Sequence, residues 1–256
     1  MCVMGSNIKF RIHEDFADIS DFIRKIPQSD YPVDKVFCCN RNTVVLTNVR
    51  GRSFVVKKYK RPTLFNCFMY TCFRKSKAKR AYRYACRLLR RDVETPSPVA
   101  YIEVKKHGFF HTGYFISEYL PYPTLATAEN LNETERMWLM EDFIRFTAGL
   151  HKARMVPKDY NPGNILYYKQ NCRFHFALVD INRFDFHNST MVQCLESFTQ
   201  LTGLRLTQAV KLVARYCDVR RWDMDKSLRI FLFMWKRSRF KARMKQAVKT
   251  FLGILP

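Results

Sequence analysis

The chain has 256 residues, 47% apolar and 15% aromatic, enough to bury a sizeable core in one or two domains and too apolar for an intrinsically disordered chain. Lys and Arg number 45 against 22 Asp and Glu, a formal charge of +23, so the partner to look for is an anion: nucleic acid, an acidic membrane surface, or a phosphorylated small molecule or glycan. The nine cysteines form no Cys-x-x-Cys pair and have no histidine companions at metal-site spacing, which reads as reduced thiols. No apolar stretch approaches the roughly 18 residues of a membrane span, and the first residues lack the apolar run of a signal peptide. A soluble or peripheral cytoplasmic protein is expected.

In chain order, residues 1–32 are polar and mixed, with one amphipathic stretch, FADISDFIRKI, ended by Pro27 and Pro32, and read as an extension before the main fold. From Val33 to Tyr59, runs of β-branched and aromatic residues are split by Asn40-Arg41-Asn42 and Arg50-Gly51-Arg52, which predicts a three-stranded meander. An aromatic run from Leu64 to Phe73 leads into a very basic helix, Arg74 to Arg91, with Ala78, Ala81, Ala85 and Leu88 on one face. Pro96 and Pro98 then open two more strands around Gly108.

Beyond Pro121 and Pro123 the character changes. Asn132 followed by Glu135 has the form of a helix N-cap, and the apolar residues Leu139, Phe143, Phe146 and Leu150 predict a long buried helix reaching His151. Two short apolar runs follow, GNILYY and FHFALVDI, and the chain is helical in pattern from Ser197 onward. The expectation is an α+β fold of two lobes. The first, residues 33–120, holds an antiparallel sheet and the basic helix, and the second, residues 121–256, is mainly helical; a ligand would sit at the seam of such lobes.

Chemistry concentrates in HKARMVPKDYNPGNIL (151–166) and FALVDINRF (176–184). Asp159 and Asn164 stand five residues apart in a turn-rich loop entering an apolar run, and Asp180 ends the next run. Phosphoryl transfer from ATP needs this set: one carboxylate to orient or deprotonate an acceptor hydroxyl, then an Asn and a second carboxylate to hold Mg²⁺ against the phosphates. Each piece alone also suits an ordinary surface turn. Their order, behind a strand meander with lysines in its third strand and a helix, favours a phosphotransferase.

These segments resemble a family. Together FVVKKYKRP (54–62), RKSKAKRAYRYACRLL (74–89), TPSPVAYIE (95–103), YFISEYL (114–120), DYNPGNIL (159–166) and LVDINR (178–183) resemble the bacterial lipopolysaccharide kinases, which have a protein-kinase-like fold and phosphorylate Kdo or heptose sugars of the inner core. The resemblance covers roughly residues 33–185. It implies Asp159 as catalytic base, Asn164 and Asp180 as Mg²⁺ ligands, Lys57 or, in the other strand register, Lys58 on the α- and β-phosphates, and Ser117 to Leu120, with Glu118 and Tyr119, as the hinge meeting adenine. His151 is read as a buried brace. Two departures stand out: the phosphate-covering turn CCNRNTVV has no glycines, so that Asn40 and Asn42 would have to shape it, and the basic helix has no Glu or Asp to pair with the lysine, leaving Glu94 or Glu103 as substitutes.

The acceptor implied by the resemblance is a lipopolysaccharide or lipid A glycolipid, modified at the inner face of the inner membrane, and the basic helix with its aromatic run suits an anionic membrane surface. Nucleic acid is disfavoured because no RRM, KH, zinc-finger or helix-turn-helix signature is present. A polycationic aminoglycoside would be repelled. The alternatives are a Rio-like protein kinase, or a pseudokinase or basic binding module for anionic lipid or nucleic acid.

Overall fold

The computed structural model describes residues 7–39, 42–187 and 189–251. They fall into two compact units, Met1–Pro121 with Ala177–Arg183, and Tyr122–Phe176 with Phe184–Pro256.

The first unit is built on a six-stranded antiparallel sheet. Residues 7–28, set by their polarity ahead of the main fold, in fact belong to it. β1 (Asn7–Ile12) pairs along its whole length with a later strand, and α1 (Ser20–Lys25), with the short 3₁₀ turns around it, buries Phe16, Ile19, Ile23 and Ile26 in the principal core. The meander follows as β2 (Lys35–Cys38), β3 (Asn42–Val49) and β4 (Arg52–Tyr59). Arg50 and Gly51 both have positive φ between β3 and β4, the two-residue turn whose twist suits a hairpin.

The residues read as an aromatic run and one helix form two helices, α2 (Leu64–Cys72) and α3 (Lys77–Leu89). The break has a physical cause in the sequence: Ser76 is the N-cap of α3, its hydroxyl accepting from the Lys79 amide at 3.1 Å. The α3 face carrying Ala78, Ala81, Tyr82, Ala85 and Leu88 is buried, at the spacing expected of one helical stripe. β5 (Pro98–Lys106) and β6 (Phe109–Glu118) are joined at His107 and Gly108, again both at positive φ. The sheet order is β1-β5-β6-β4-β3-β2. Gly113 on β6 meets α3 so closely that a Cβ there would lie 3.1 Å from the Ala78 Cβ and 3.3 Å from the Ile102 carbonyl.

In the second unit, α4 (Glu133–Lys152) starts at Asn132, whose side chain accepts from the Glu135 amide at 2.8 Å. β7 (Val156–Pro157) comes next. β8 (Ile165–Gln170) pairs with β9 (Arg173–Leu178), whose last two residues belong to the first unit. β10 (Phe184–Asp185) pairs antiparallel with β7, and α5 (Met191–Phe198), α6 (Leu206–Arg220) and α7 (Met224–Phe251) complete the unit. Phe143, Leu150, Phe198, Tyr216 and Phe231 are among its buried side chains. No helix among the described residues is long and apolar enough to cross a membrane, and the described cysteines are free thiols.

Candidate active site

The first unit supplies a lysine and a carboxylate. Strand alternation sends Lys57 and Lys58 to opposite faces. Lys57 lies opposite Phe115 of β6 and Lys58 opposite Tyr114. Phe115 packs with the Tyr59–Ala78–Tyr82–Tyr101 cluster beneath α3, whereas Tyr114 belongs to the principal core. On the α3 face, Lys57 Nζ stands 2.6 Å from Asp180 Oδ1 and 5.5 Å from the centre of the Tyr59 ring. Lys58 instead lies over the Tyr114 ring at 5.6 Å. The carboxylate absent from α3 is thus supplied by Asp180, not by Glu94 or Glu103.

Asp180 is held by its neighbours. The Leu178 amide donates to the Glu94 carbonyl at 2.9 Å, and the Thr95 hydroxyl donates to the Leu178 carbonyl at 2.6 Å, so two adjacent residues clamp the strand just ahead of Asp180. Asp180 has φ +52°, a left-handed geometry that Asp tolerates better than most side chains. Asn182 Nδ2 donates to Asp180 Oδ1 at 2.5 Å, which leaves Oδ2 without a partner among the described residues. Beside the pair, burial pushes the Tyr59 phenol well above its ordinary range and the Asp180 charge pushes it further, so Tyr59 stays protonated.

The second unit supplies the loop between β7 and β8. Tyr160 is its fixed point: its ring is fully buried and stacked on Phe143 at 5.7 Å, its hydroxyl is 2.8 Å from Thr147 Oγ1, and its amide donates to Gln200 Oε1 at 2.8 Å. Asn161 turns the chain by accepting from the Gly163 amide at 3.0 Å, while its carbonyl accepts from the Asn164 amide at 2.9 Å. Asn164 Nδ2 then donates to the Asp159 carbonyl at 3.0 Å, which fixes the amide orientation and leaves its Oδ1 as the open oxygen. Next to Asp159, Lys158 Nζ lies 3.4 Å from Asp185 Oδ2 across the β7–β10 pair.

His151 is buried as a brace. Its Nδ1 lies 2.8 Å from the Tyr216 hydroxyl and its Nε2 3.4 Å from Ser197 Oγ. Burial, aided by Arg220, pushes its pKa down to about 3, so it is neutral at physiological pH.

The site residues expected from sequence therefore fall into two sets, Lys57 with Asp180 in one unit and Asp159 with Asn164 in the other. At the expected hinge, the amides of Glu118 and Tyr119 are already engaged, donating to the Ser97 and Ser53 carbonyls at 3.0 Å each. The Tyr119 ring stacks on Phe37 of β2 at 5.9 Å. Asn42 accepts from the Lys60 amide at 3.2 Å; Asn40 lies outside the described residues. Sequence reasoning missed the clamp at Glu94 and Thr95, the Gln200 contact and the Lys158–Asp185 pair, none of which has a local signal. Asn182 was missed as well, its side-chain contact with Asp180 having no local signal.

Magnesium takes oxygen ligands and keeps several waters, needing only one or two protein side chains beside the substrate phosphates. Asn164 in the second unit and Asp180 in the first each carry a side-chain oxygen of that kind, so the chemistry of each residue suits the ion.

The antiparallel sheet with helices packed on it and the mainly helical second unit belong to a protein-kinase-like fold, and comparison with solved structures gives the same class. The chain is similar to WaaP, in a structure of its complex with acyl carrier protein, with a TM-score of 0.62 at 16% identity, covering 90% of this chain and 98% of that one. It is also similar to a thermostable mutant of the aminoglycoside phosphotransferase APH(4)-Ia, with a TM-score of 0.50 at 15% identity over 90% of this chain and 94% of the other. No protein-family model matches the sequence, and no curated protein sequence matches it.

Proposed function

We propose that this chain is an ATP- and Mg²⁺-dependent phosphotransferase that passes a γ-phosphoryl group to a sugar hydroxyl, Kdo or heptose, of the lipopolysaccharide inner core. The observation that carries the reading is the 2.6 Å pair of Lys57 with Asp180, a lysine fixed by a carboxylate in a chain whose helix α3 contains none. The structural likeness to WaaP supports it on the side of the fold, and the segments quoted above support it on the side of sequence.

In this reading the chain's own groups divide the work. Lys57, steadied by Asp180 and the Tyr59 ring, neutralises α- and β-phosphate oxygens. Asn164 and Asp180 would hold the metal, which, when bound, would offset charge on the phosphates. Asp159 orients the acceptor hydroxyl and takes its proton as the new P–O bond forms and the bond to ADP breaks. Tyr160 keeps the Asp159 backbone in place, so the carboxylate does not have to be ordered at each turnover.

The test is transfer of labelled γ-phosphate from ATP and Mg²⁺ to a purified Kdo-containing lipid A precursor, beside a sugar-free lipid and a generic protein. Label on the Kdo-containing acceptor alone, lost in Asp159→Ala, is the expected result. Label on protein would replace the glycolipid with a protein acceptor, and undiminished transfer by Asp159→Ala would remove that residue from the chemistry.

A further inference from the structure

A second basic site lies away from Lys57. A cavity of about 420 Å³ opens at the end of β4, lined among others by Lys58, Lys60, Arg61, Lys106 and His111, with no carboxylate among its lining residues. Four permanent cations around one small space repel each other, and an anion would relieve that repulsion. The Nδ1 of His111 is buried with no hydrogen-bond partner, a polar atom left unsatisfied within the protein itself. Burial of the imidazole, with Lys106, Arg61 and Lys58 around it, holds its pKa below the ordinary value, so it is a neutral ring with an N–H to offer.

An exposed apolar stretch follows this cavity closely in the chain. The chain leaves it at Arg61 and enters α2 at Leu64, which is 82% exposed; Phe65 is 71% exposed and Phe73 72%, with Phe68 and Phe109 also open. The Thr71 hydroxyl accepts from the Phe110 amide at 2.9 Å and the Tyr70 ring packs on Phe110 at 5.4 Å, which ties α2 to the strand that carries His111. A free phosphate needs no such hydrocarbon beside it. A lipid does, because its headgroup and acyl boundary present anion and oil side by side.

We propose that this end of the first unit docks on a membrane, with the phosphomonoester headgroup of an anionic lipid held by Lys58, Lys60, Arg61, Lys106 and His111, and with Leu64, Phe65 and Phe73 entering the acyl boundary. The docking stands apart from the phosphotransferase reading and does not depend on it.

The full chain is sedimented with vesicles of phosphatidylcholine alone and of phosphatidylcholine containing phosphatidic acid, beside titrations of inorganic phosphate and of a fluorescent oligonucleotide. Binding to the phosphatidic acid vesicles alone is expected, weakened about tenfold by Arg61→Glu and about tenfold or more by Leu64→Ser with Phe65→Ser. All three side chains are exposed, so unchanged melting of the variants separates lost docking from lost fold, and Phe73→Ser serves as a second apolar variant. Equal binding to both vesicles, vesicle binding insensitive to all of these variants, or binding of inorganic phosphate or oligonucleotide without vesicle binding would each overturn the proposal.

Discussion

In the proposed reaction Lys57 holds phosphate oxygens, a task that needs its long side chain fixed, and Asp180 stands 2.6 Å from its Nζ. Lys57→Met is expected to lower kcat/KM for phosphoryl transfer by about a hundredfold or more, and Lys58→Met by far less on a soluble acceptor, as steady-state kinetics would measure. Equal losses would return the choice between them to the open state in which the sequence leaves it. Two adjacent lysines on a strand look alike until the register with β6 is known, which is why the sequence left Lys58 as an alternate to Lys57, whereas Asp159, Asn164 and Asp180 were singled out by their order along the chain and by the resemblance. His151 makes a different prediction. Its folded pKa of about 3 lies below the ordinary 6.5, so the unfolded chain binds the extra proton between those values and stability falls as pH drops through that window. The slope from this one group is at most about 1.4 kcal/mol per pH unit. His151→Gln is expected to melt lower at neutral pH yet lose less further stability on acidification, measured by melting temperature across pH.

At the scale of elements, close approach and clamping decide what can change. Gly113 lets α3 lie on β6, and any side chain there meets the Ala78 Cβ and a backbone carbonyl, neither of which is the free end of a flexible chain. Gly113→Val is expected to destabilise the protein by about 1–3 kcal/mol, an overpacking cost read from denaturant unfolding. Thr95→Val removes the buried donor to the Leu178 carbonyl and is expected to cost about 1 kcal/mol in the same measurement, while lowering activity through a looser Asp180. The meander, the β5–β6 hairpin and α4 were legible because their turn and cap residues are local signals. β1 was not recognised, although Ile8, Phe10 and Ile12 alternate as a strand should, because overall polarity outweighed a short pattern. The break between α2 and α3 was written in Ser76, a cap signal hidden in a run of cations.

For the whole molecule the charge sets the terms. A formal +23 with ion pairs mainly at exposed sites leaves net self-repulsion that favours expansion. Raising the ionic strength from a few millimolar toward physiological levels shortens the screening length to about 8 Å, so melting temperature is expected to rise with added salt, sulfate included. A fall would mean that attractive pairs outweigh the repulsion.

The clamp at Glu94 and Thr95 has a consequence for biosynthesis. Nearly all of the sheet unit lies in the first half of the chain, but its closing piece, Ala177–Arg183, is translated only after α4 and the Asp159 loop. Lys57 therefore waits half the chain length for Asp180, and the sheet meets its last partner late in translation. An early release at Pro121 would yield strands without their keystone, because the unit that begins first is finished only once Arg183 has been added, after much of the second unit has been translated.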